Sequence, residues 1–160
     1  MLSRRRLLAL LPLLPVDDLL RDRASPVHRW ARAQGRCEGW TACFGDFIRR
    51  VPPASYLVYP TEARDLLLFD PFVLDVRTRE ERQRGYIPGS VHIYAGEVPD
   101  RLSELPQDHG ALILVYCGSG SVSAVIAAYL QALGYANAKN IAHGFKGWLD
   151  AGLPVEGEGP

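Results

Sequence analysis

Cysteine is scarce in this chain, and long apolar runs and an excess of charge of either sign are absent. The 160 residues include only three cysteines, too few for the disulfide framework of a small secreted scaffold. No stretch reaches the roughly 18 to 20 apolar residues that a transmembrane helix requires. We therefore expect a chain that is not stably inserted in a membrane and folds around an ordinary hydrophobic core, since 48% of its residues are hydrophobic.

Basic and acidic side chains balance overall, with 18 of each, but they are unevenly distributed. Residues 1–50 hold ten basic against five acidic side chains, and the remainder holds eight against thirteen. A nucleic-acid-binding protein needs clustered cations to neutralise phosphates. The acidic body of this chain has no such cluster, which argues against nucleic acid as the main partner.

The first thirty residues differ in character from the rest. They open with MLSRRRLLALLPLLPV, a positive segment before a mostly apolar one, which is the order found in secretory signals. Residues 3–8 also resemble a twin-arginine export motif. Against export, Asp17 and Asp18 follow the apolar run at once and no small-residue cleavage site lies close behind it. Residues 1–30 are thus a signal, targeting or disordered segment, and both a periplasmic and a cytoplasmic location stay open.

The remaining residues divide into an N-terminal extension, 31–55, and a single α/β domain, 56–156. Short apolar runs in the domain predict strands, and they alternate with stretches of helical period. Thr61 is the expected cap of the first helix, and Val122 and Val125 fall on one wide apolar face of the last. Strands are predicted at 56–59, 72–75, 90–93 and 111–116, and helices at 60–68, 78–84 and 122–133.

This alternation predicts a doubly wound, mostly parallel sheet with helices on both faces. The clearest strand, residues 111–116, reads ALILVY and is apolar on both faces, as expected for a central parallel strand. Ligands of such sheets bind at the carboxyl ends of strands. The segment at that position is Cys117-Gly118-Ser119-Gly120-Ser121-Val122-Ser123.

The chemistry of this segment centres on Cys117. A cysteine between a buried strand and a helix meets unpaired backbone N–H groups and the positive end of the helix dipole, and both favour the nucleophilic thiolate. The alternative is a small core residue, but a structural joint needs neither two glycines nor three hydroxyls. Cys117 is therefore the predicted nucleophile. The predicted substrate-binding residues are Gly118, Ser119, Gly120, Ser121, Val122 and Ser123.

Several motifs in the right order give residues 56–155 a resemblance to the rhodanese-like superfamily. The segment LDVR at residues 74–77, Glu81 and GYIPGS at residues 85–90 are similar to the L-D-V-R, acidic and G-H-I-P-G-A elements of that family. VYC at residues 115–117 with Gly120 resembles its strand and cysteine loop. GYAN at residues 134–137, Gly144, Trp148 and AGLPV at residues 151–155 resemble its closing elements.

This resemblance implies a five-stranded sheet in the order 1-5-4-2-3 and a sulfurtransferase cycle. Cys117 would take a sulfane sulfur from a small donor, thiosulfate, mercaptopyruvate or a persulfide, and pass it to a thiol or cyanide. Backbone amides of the loop would stabilise the persulfide. The resemblance implies no metal or organic cofactor, and Cys37 and Cys43 lack the second ligand pair of a zinc site, so they form a disulfide or remain thiols.

The chain also departs from the pattern of this family. Family loops often carry a cation directly after the cysteine or five positions on, where this chain has Gly118 and Val122. Arg77 is expected to pair with Asp75, and a contact of Arg77 with substrate is the less favoured role. Glu81 is expected to pair with Arg77 or Arg84, and His143 either tunes Cys117 or is a structural cap.

Two other functions compete with sulfur transfer. The neutral loop leaves room for a non-catalytic rhodanese-like module that binds a partner or a persulfidated protein. A cysteine phosphatase on the same fold would need a longer loop ending in an arginine, which residues 122–124, VSA, do not provide.

Overall fold

A computed structural model describes residues 45, 47–49 and 56–157 of the chain. The export and extension assignments, and both Cys37 and Cys43, lie outside these residues. The strands are β1 (Leu57–Val58), β2 (Phe72–Asp75), β3 (Val91–His92), β4 (Ile113–Tyr116) and β5 (Ala138–Ile141). The helices are α1 (Pro60–Leu66), α2 (Arg79–Gln83), α3 (Ser121–Ala132) and α4 (Gly144–Asp150), with 3-10 helices at Leu67–Phe69, Ala95–Asp100 and Leu102–Glu104.

The five strands form one parallel sheet in the order β1-β5-β4-β2-β3, which confirms the expected fold class and strand order. The central strand β4 is buried on both faces because its alternate side chains enter two different cores. Ile113 and Val115 pack with α3 residues such as Leu130. Leu114 and Tyr116 belong to a second cluster, with residues of α1 and α4 such as Trp148. Helices therefore cover both faces of the sheet.

The helix α1 begins at Pro60, as its sequence predicts, but the cap assigned to Thr61 is wrong. Tyr59 is the N-cap residue and Pro60 opens the helix, where its missing N–H leaves no donor unsatisfied. The carboxylate of Glu62 accepts the Tyr59 N–H at 2.9 Å. A carboxylate inside the first turn thus satisfies the N–H of the cap residue.

The predicted wide apolar face of α3 is only partly buried. Ile126 and Leu130 lie in the core, but Val122 is 46% and Val125 67% exposed. The helix packs onto β4 and β5, and this arrangement leaves the two valines exposed. Within the described residues, no helix combines the length and apolar character needed to cross a membrane.

A buried carboxylate at the end of β2 organises one edge of the sheet. Asp75 is fully buried and accepts hydrogen bonds from Arg77 at 2.7 Å, from Arg82 at 3.2 Å and from the Tyr116 hydroxyl at 2.8 Å. Burial alone would raise the pKa of the Asp75 carboxyl, but the hydrogen bonds and positive charge of Arg77 outweigh it and lower this pKa below its ordinary value. The expected Asp75–Arg77 ion pair is therefore confirmed.

Replacing Asp75 with asparagine should leave the buried Arg77 charge without its counter-ion and destabilise the domain by about 3–5 kcal/mol. Because the folded-state pKa of Asp75 is lowered, its stabilising contribution is present above the unfolded pKa of about 3.9 and disappears as pH falls through the folded value. Urea unfolding from pH 7 to pH 2 should show this loss in the wild type and not in Asp75→Asn.

The matched control is Glu104→Gln, which breaks the exposed pair of Glu104 with Arg101. Exposed pairs contribute little, so this variant should unfold close to the wild type. Equal destabilisation by the two variants would contradict the role assigned to Asp75.

Candidate active site

Cys117 lies just after the carboxyl end of β4, at the centre of the candidate site. Cys117 follows the strand directly and is 5% exposed, and α3 begins four residues later at Ser121. The chain turns at Gly120, whose φ of 90° lies in the left-handed region that side chains disfavour. This turn brings the start of α3 back beside the sulfur.

Three donors converge on the Cys117 sulfur. The N–H of Gly120 lies 3.2 Å from Sγ, the N–H of Ser123 lies 3.4 Å from it, and the Ser123 hydroxyl oxygen lies 3.3 Å from it. Burial by itself raises the pKa of the Cys117 thiol, but the hydrogen bonds from Ser123, Ser119 and Gly120 outweigh it, and the pKa is lowered. The site therefore favours the thiolate.

The start of α4 holds the other side of the loop. The N–H of Phe145 donates to the Cys117 carbonyl at 2.7 Å, and the N–H of Lys146 donates to the Gly118 carbonyl at 3.0 Å. Gly144, with φ of 56°, approaches so closely that an added Cβ would overlap the Cys117 carbonyl oxygen. A glycine is required there because no side chain fits between the loop and α4.

A pocket of about 300 Å³ opens onto the sulfur. Five of the seven loop residues singled out in the sequence line it, while Gly120 and Ser123 lie behind the sulfur. The Ser119 and Ser121 hydroxyls are exposed and lie 3.1 Å from each other. The full lining consists of Val76, Arg77, Thr78, Glu81, Tyr94, Ala95, Cys117, Gly118, Ser119, Ser121 and Val122.

Arg77 is part of this lining, and its guanidinium is held by contacts within the fold. Its Nη2 donates to Asp75 at 2.7 Å and to the Gly85 carbonyl at 2.8 Å. Its Cζ lies 4.0 Å from the ring centroid of Phe145, a cation–π contact. The side chain is only 3% exposed, so its charge supports the pocket wall rather than the pocket mouth.

The mouth of the pocket carries an acidic group beside the loop. Glu81 is exposed, and its carboxylate accepts the Thr78 N–H at 3.1 Å, completing a capping box at the start of α2. The predicted side-chain pairing of Glu81 with Arg77 or Arg84 is thus wrong. A Cβ added at Gly118 would lie 3.2 Å from the Glu81 Oε1, so the acid lies where the family often carries a cation.

His143 precedes α4 as its N-cap residue, with φ of 60°. This conformation lies in the left-handed region that side chains disfavour. The imidazole packs near Tyr59, with ring centroids 6.4 Å apart, and lines a separate pocket with Pro60. It does not line the pocket above Cys117.

Two residues close to the site were not singled out from the sequence. Tyr116, the last residue of β4, links Asp75 to Ser90 through its hydroxyl. Asn140, in β5, accepts the Ser123 hydroxyl at 2.7 Å and is 4% exposed. The one local signal for Asn140 is an amide inside a buried parallel strand, where an apolar residue is usual.

Comparison with known proteins agrees with the geometry. The family model described as the rhodanese-like domain matches residues 59–151, more than half of the chain. The chain belongs to the rhodanese-like family. A sulfurtransferase of Allochromatium vinosum is 35% identical over 86 residues, which cover 54% of this chain and 78% of that protein. The thiosulfate sulfurtransferase GlpE of Actinobacillus succinogenes is 33% identical over 100 residues, covering 62% and 88%.

The solved structures extend this agreement to the fold. A rhodanese-like domain protein of Staphylococcus aureus superimposes with a TM-score of 0.55 at 31% identity, covering 62% of this chain and 97% of that one. A general sulfurtransferase role is thus supported for this rhodanese-like domain. The described residues contain no group of three His, Cys, Asp or Glu side chains placed to hold a metal ion.

Gly144→Ala should disrupt the loop, because the added Cβ would push α4 away from the Cys117 carbonyl. We expect a destabilisation of about 1–3 kcal/mol from strain and lost packing, together with slower alkylation of Cys117 by iodoacetamide at pH 7. The control is Gly152→Ala, which also has a positive φ, of 64°, but open space around its Cβ. Equal alkylation rates for Gly144→Ala and the wild type would contradict the contact.

Proposed function

We propose that this protein is a sulfurtransferase that carries sulfane sulfur as a persulfide on Cys117. One observation carries the proposal: three hydrogen-bond donors converge on the Cys117 sulfur beside a pocket of about 300 Å³ that Cys117 lines. A structural cysteine in a core would lack both the converging donors and the opening. The matched family and its sulfurtransferase-named members support the same activity.

The proposed cycle has two displacements at sulfur. In the first, the Cys117 thiolate attacks the outer sulfur of the donor, a new S–S bond forms, and the donor leaves with the electron pair of its broken bond. A persulfide donor leaves as a thiolate and thiosulfate leaves as sulfite, whereas mercaptopyruvate is attacked at its thiol sulfur and leaves as the enolate of pyruvate, which takes up a proton. In the second, an acceptor thiolate or cyanide attacks the outer sulfur and the Cys117 thiolate is regenerated. Sulfur is transferred without any external oxidant or reductant.

In the persulfide intermediate, some loop residues would contact the inner sulfur, Sγ, and others the outer sulfur. Gly120 and Ser123 donate to Sγ from behind, so they favour ionisation of the free cysteine. The Ser119 and Ser121 hydroxyls and the backbone at Gly118 face the pocket, where the anionic outer sulfur would lie. Val122 supplies an apolar wall, and Arg77 supports the wall through Asp75 rather than binding the donor.

The charge of the pocket mouth favours some donors over others. Within the described lining, the only cation is Arg77, which is paired with Asp75, and Glu81 lies beside Gly118. A dianionic donor such as thiosulfate therefore meets a carboxylate and no unpaired cation. We infer that a singly charged persulfide loads Cys117 faster than thiosulfate does.

Intact-mass measurement tests the activity directly. Purified protein incubated with cysteine persulfide, which carries a single net negative charge, should gain the mass of one sulfur atom, and Cys117→Ser should not. Mercaptopyruvate and thiosulfate form the other two arms, with thiosulfate loading the slowest. Absence of an adduct from all three donors would overturn the proposal and leave the non-catalytic binding module as the better account.

The donor preference has its own test in Gly118→Arg. An arginine at this position would place a cation at the mouth and pair with Glu81, and we expect thiosulfate loading about tenfold faster than in the wild type. Gly118→Gln is the control, because it adds bulk and a donor without charge. If the two variants load thiosulfate equally, charge at the mouth does not set the preference.

A further inference from the structure

Two buried polar side chains lie beneath Cys117, on the side away from the pocket. Ser123, in the first turn of α3, has no exposed surface, and Asn140, in β5, is 4% exposed. Neither belongs to the pocket lining, so neither touches a substrate there. Any effect of Asn140 on the reaction must therefore pass through Ser123 and the sulfur.

The Ser123 hydroxyl has one proton and two acceptors within reach. Its oxygen lies 2.7 Å from Asn140 Oδ1 and 3.3 Å from Cys117 Sγ. A hydroxyl donates only one hydrogen bond, so the two acceptors compete for it. When the proton points to Asn140, the hydroxyl oxygen is free to accept the S–H of Cys117, and this arrangement suits the thiol.

A thiolate needs the opposite arrangement. It has no proton to offer and is a strong acceptor, so the Ser123 proton should turn toward Sγ. Asn140 Oδ1 would then lose its donor and face the lone pairs of Ser123. Rotation of the amide by half a turn replaces Oδ1 with Nδ2, which donates to the Ser123 oxygen and removes this conflict.

A second observation supports this rotation. Among the described residues, Asn140 Nδ2 has no hydrogen-bond partner, although the side chain is nearly fully buried. Rotation of the amide therefore breaks no hydrogen bond of Nδ2, and each orientation presents to Ser123 the amide atom that suits one state of the sulfur.

We propose that Asn140 is a positioning residue whose amide rotates to set the direction of the Ser123 hydroxyl, toward Asn140 when Cys117 is a thiol and toward Cys117 when it is a thiolate. The thiol proton leaves to solvent, and the hydroxyl proton stays on Ser123 throughout. In the persulfide the charge lies on the outer sulfur, so Sγ becomes a weak acceptor again and the hydroxyl returns to Asn140. This rests on the proposed function in that Cys117 is its nucleophile.

Side-chain amide signals in the full-length, ¹⁵N-labelled protein test the proposal without altering Asn140. The Asn140 Nδ2 signals should shift with pH, with the same midpoint as the rate of Cys117 alkylation by iodoacetamide. Asn137, the residue before β5, is the control within the same spectrum, because its side chain is exposed and its amide donates to the Gly110 carbonyl. Its signals should not follow that midpoint.

Two variants complete the test. Cys117→Ser should abolish the shift of the Asn140 signals, since no thiol ionises. Ser123→Ala should uncouple Asn140 from the sulfur, greatly reduce the shift, and slow alkylation at pH 7 about tenfold through the lost hydrogen bond to the thiolate. The thermal melting temperature of each variant shows whether it has kept its fold.

The proposal is overturned if the Asn140 signals stay constant while Cys117 ionises, or if they shift equally in Ser123→Ala. Because alkylation needs no sulfur donor, this result is independent of sulfur transfer. If the Asn140 signals follow the ionisation of Cys117 but no persulfide forms, the result contradicts the proposed function and leaves the role of Asn140 intact.

Discussion

A carboxylate buried at the end of a strand must be neutralised, and the edge of this sheet is arranged to neutralise Asp75. Its partners come from the strand end, from α2 and from β4, where Arg77, Arg82 and Tyr116 supply the donors. Arg77 also binds the Gly85 carbonyl, so the segment after β2 folds back against the sheet. This segment forms one wall of the pocket, and its position relative to Cys117 depends on the buried charge.

The structure of the opposite wall depends on the directions in which the backbone carbonyl and N–H groups of the cysteine loop point. The carbonyls of Cys117 and Gly118 point toward α4, where Phe145 and Lys146 donate to them. The Gly118 carbonyl shares its peptide unit with the Ser119 N–H, which hydrogen-bonds to the sulfur. The contact with α4 therefore helps to orient this donor, because a peptide unit that turns its carbonyl outward turns its N–H inward. The close approach of Gly144 makes this arrangement fit.

Local patterns in the sequence were enough to predict the sheet, its order by resemblance, and the placement of Cys117. The run from Ala111 to Tyr116 and the Gly/Ser loop after it are short-range signals. The remaining features depend on contacts between distant segments. The outward turn of Val125 follows from how α3 packs on the sheet, and the contact of Ser123 with Asn140 joins α3 to β5. The capping role of Glu81 was missed because a pairing with arginine was equally consistent with its spacing.

The pairing of β1 with β5 has a consequence for how the domain assembles. Leu57 lies opposite Asn140, and β5 is the only strand of the described sheet that pairs with β1. β1 therefore has no strand partner until β5 is in place. Closing so long a loop costs chain entropy, which places this pairing late in folding. We therefore expect β1, although it is synthesised before the other strands of this sheet, to dock after β5 has paired with β4. On this expectation, the backbone beneath Cys117 takes its final form only after β5 has been synthesised.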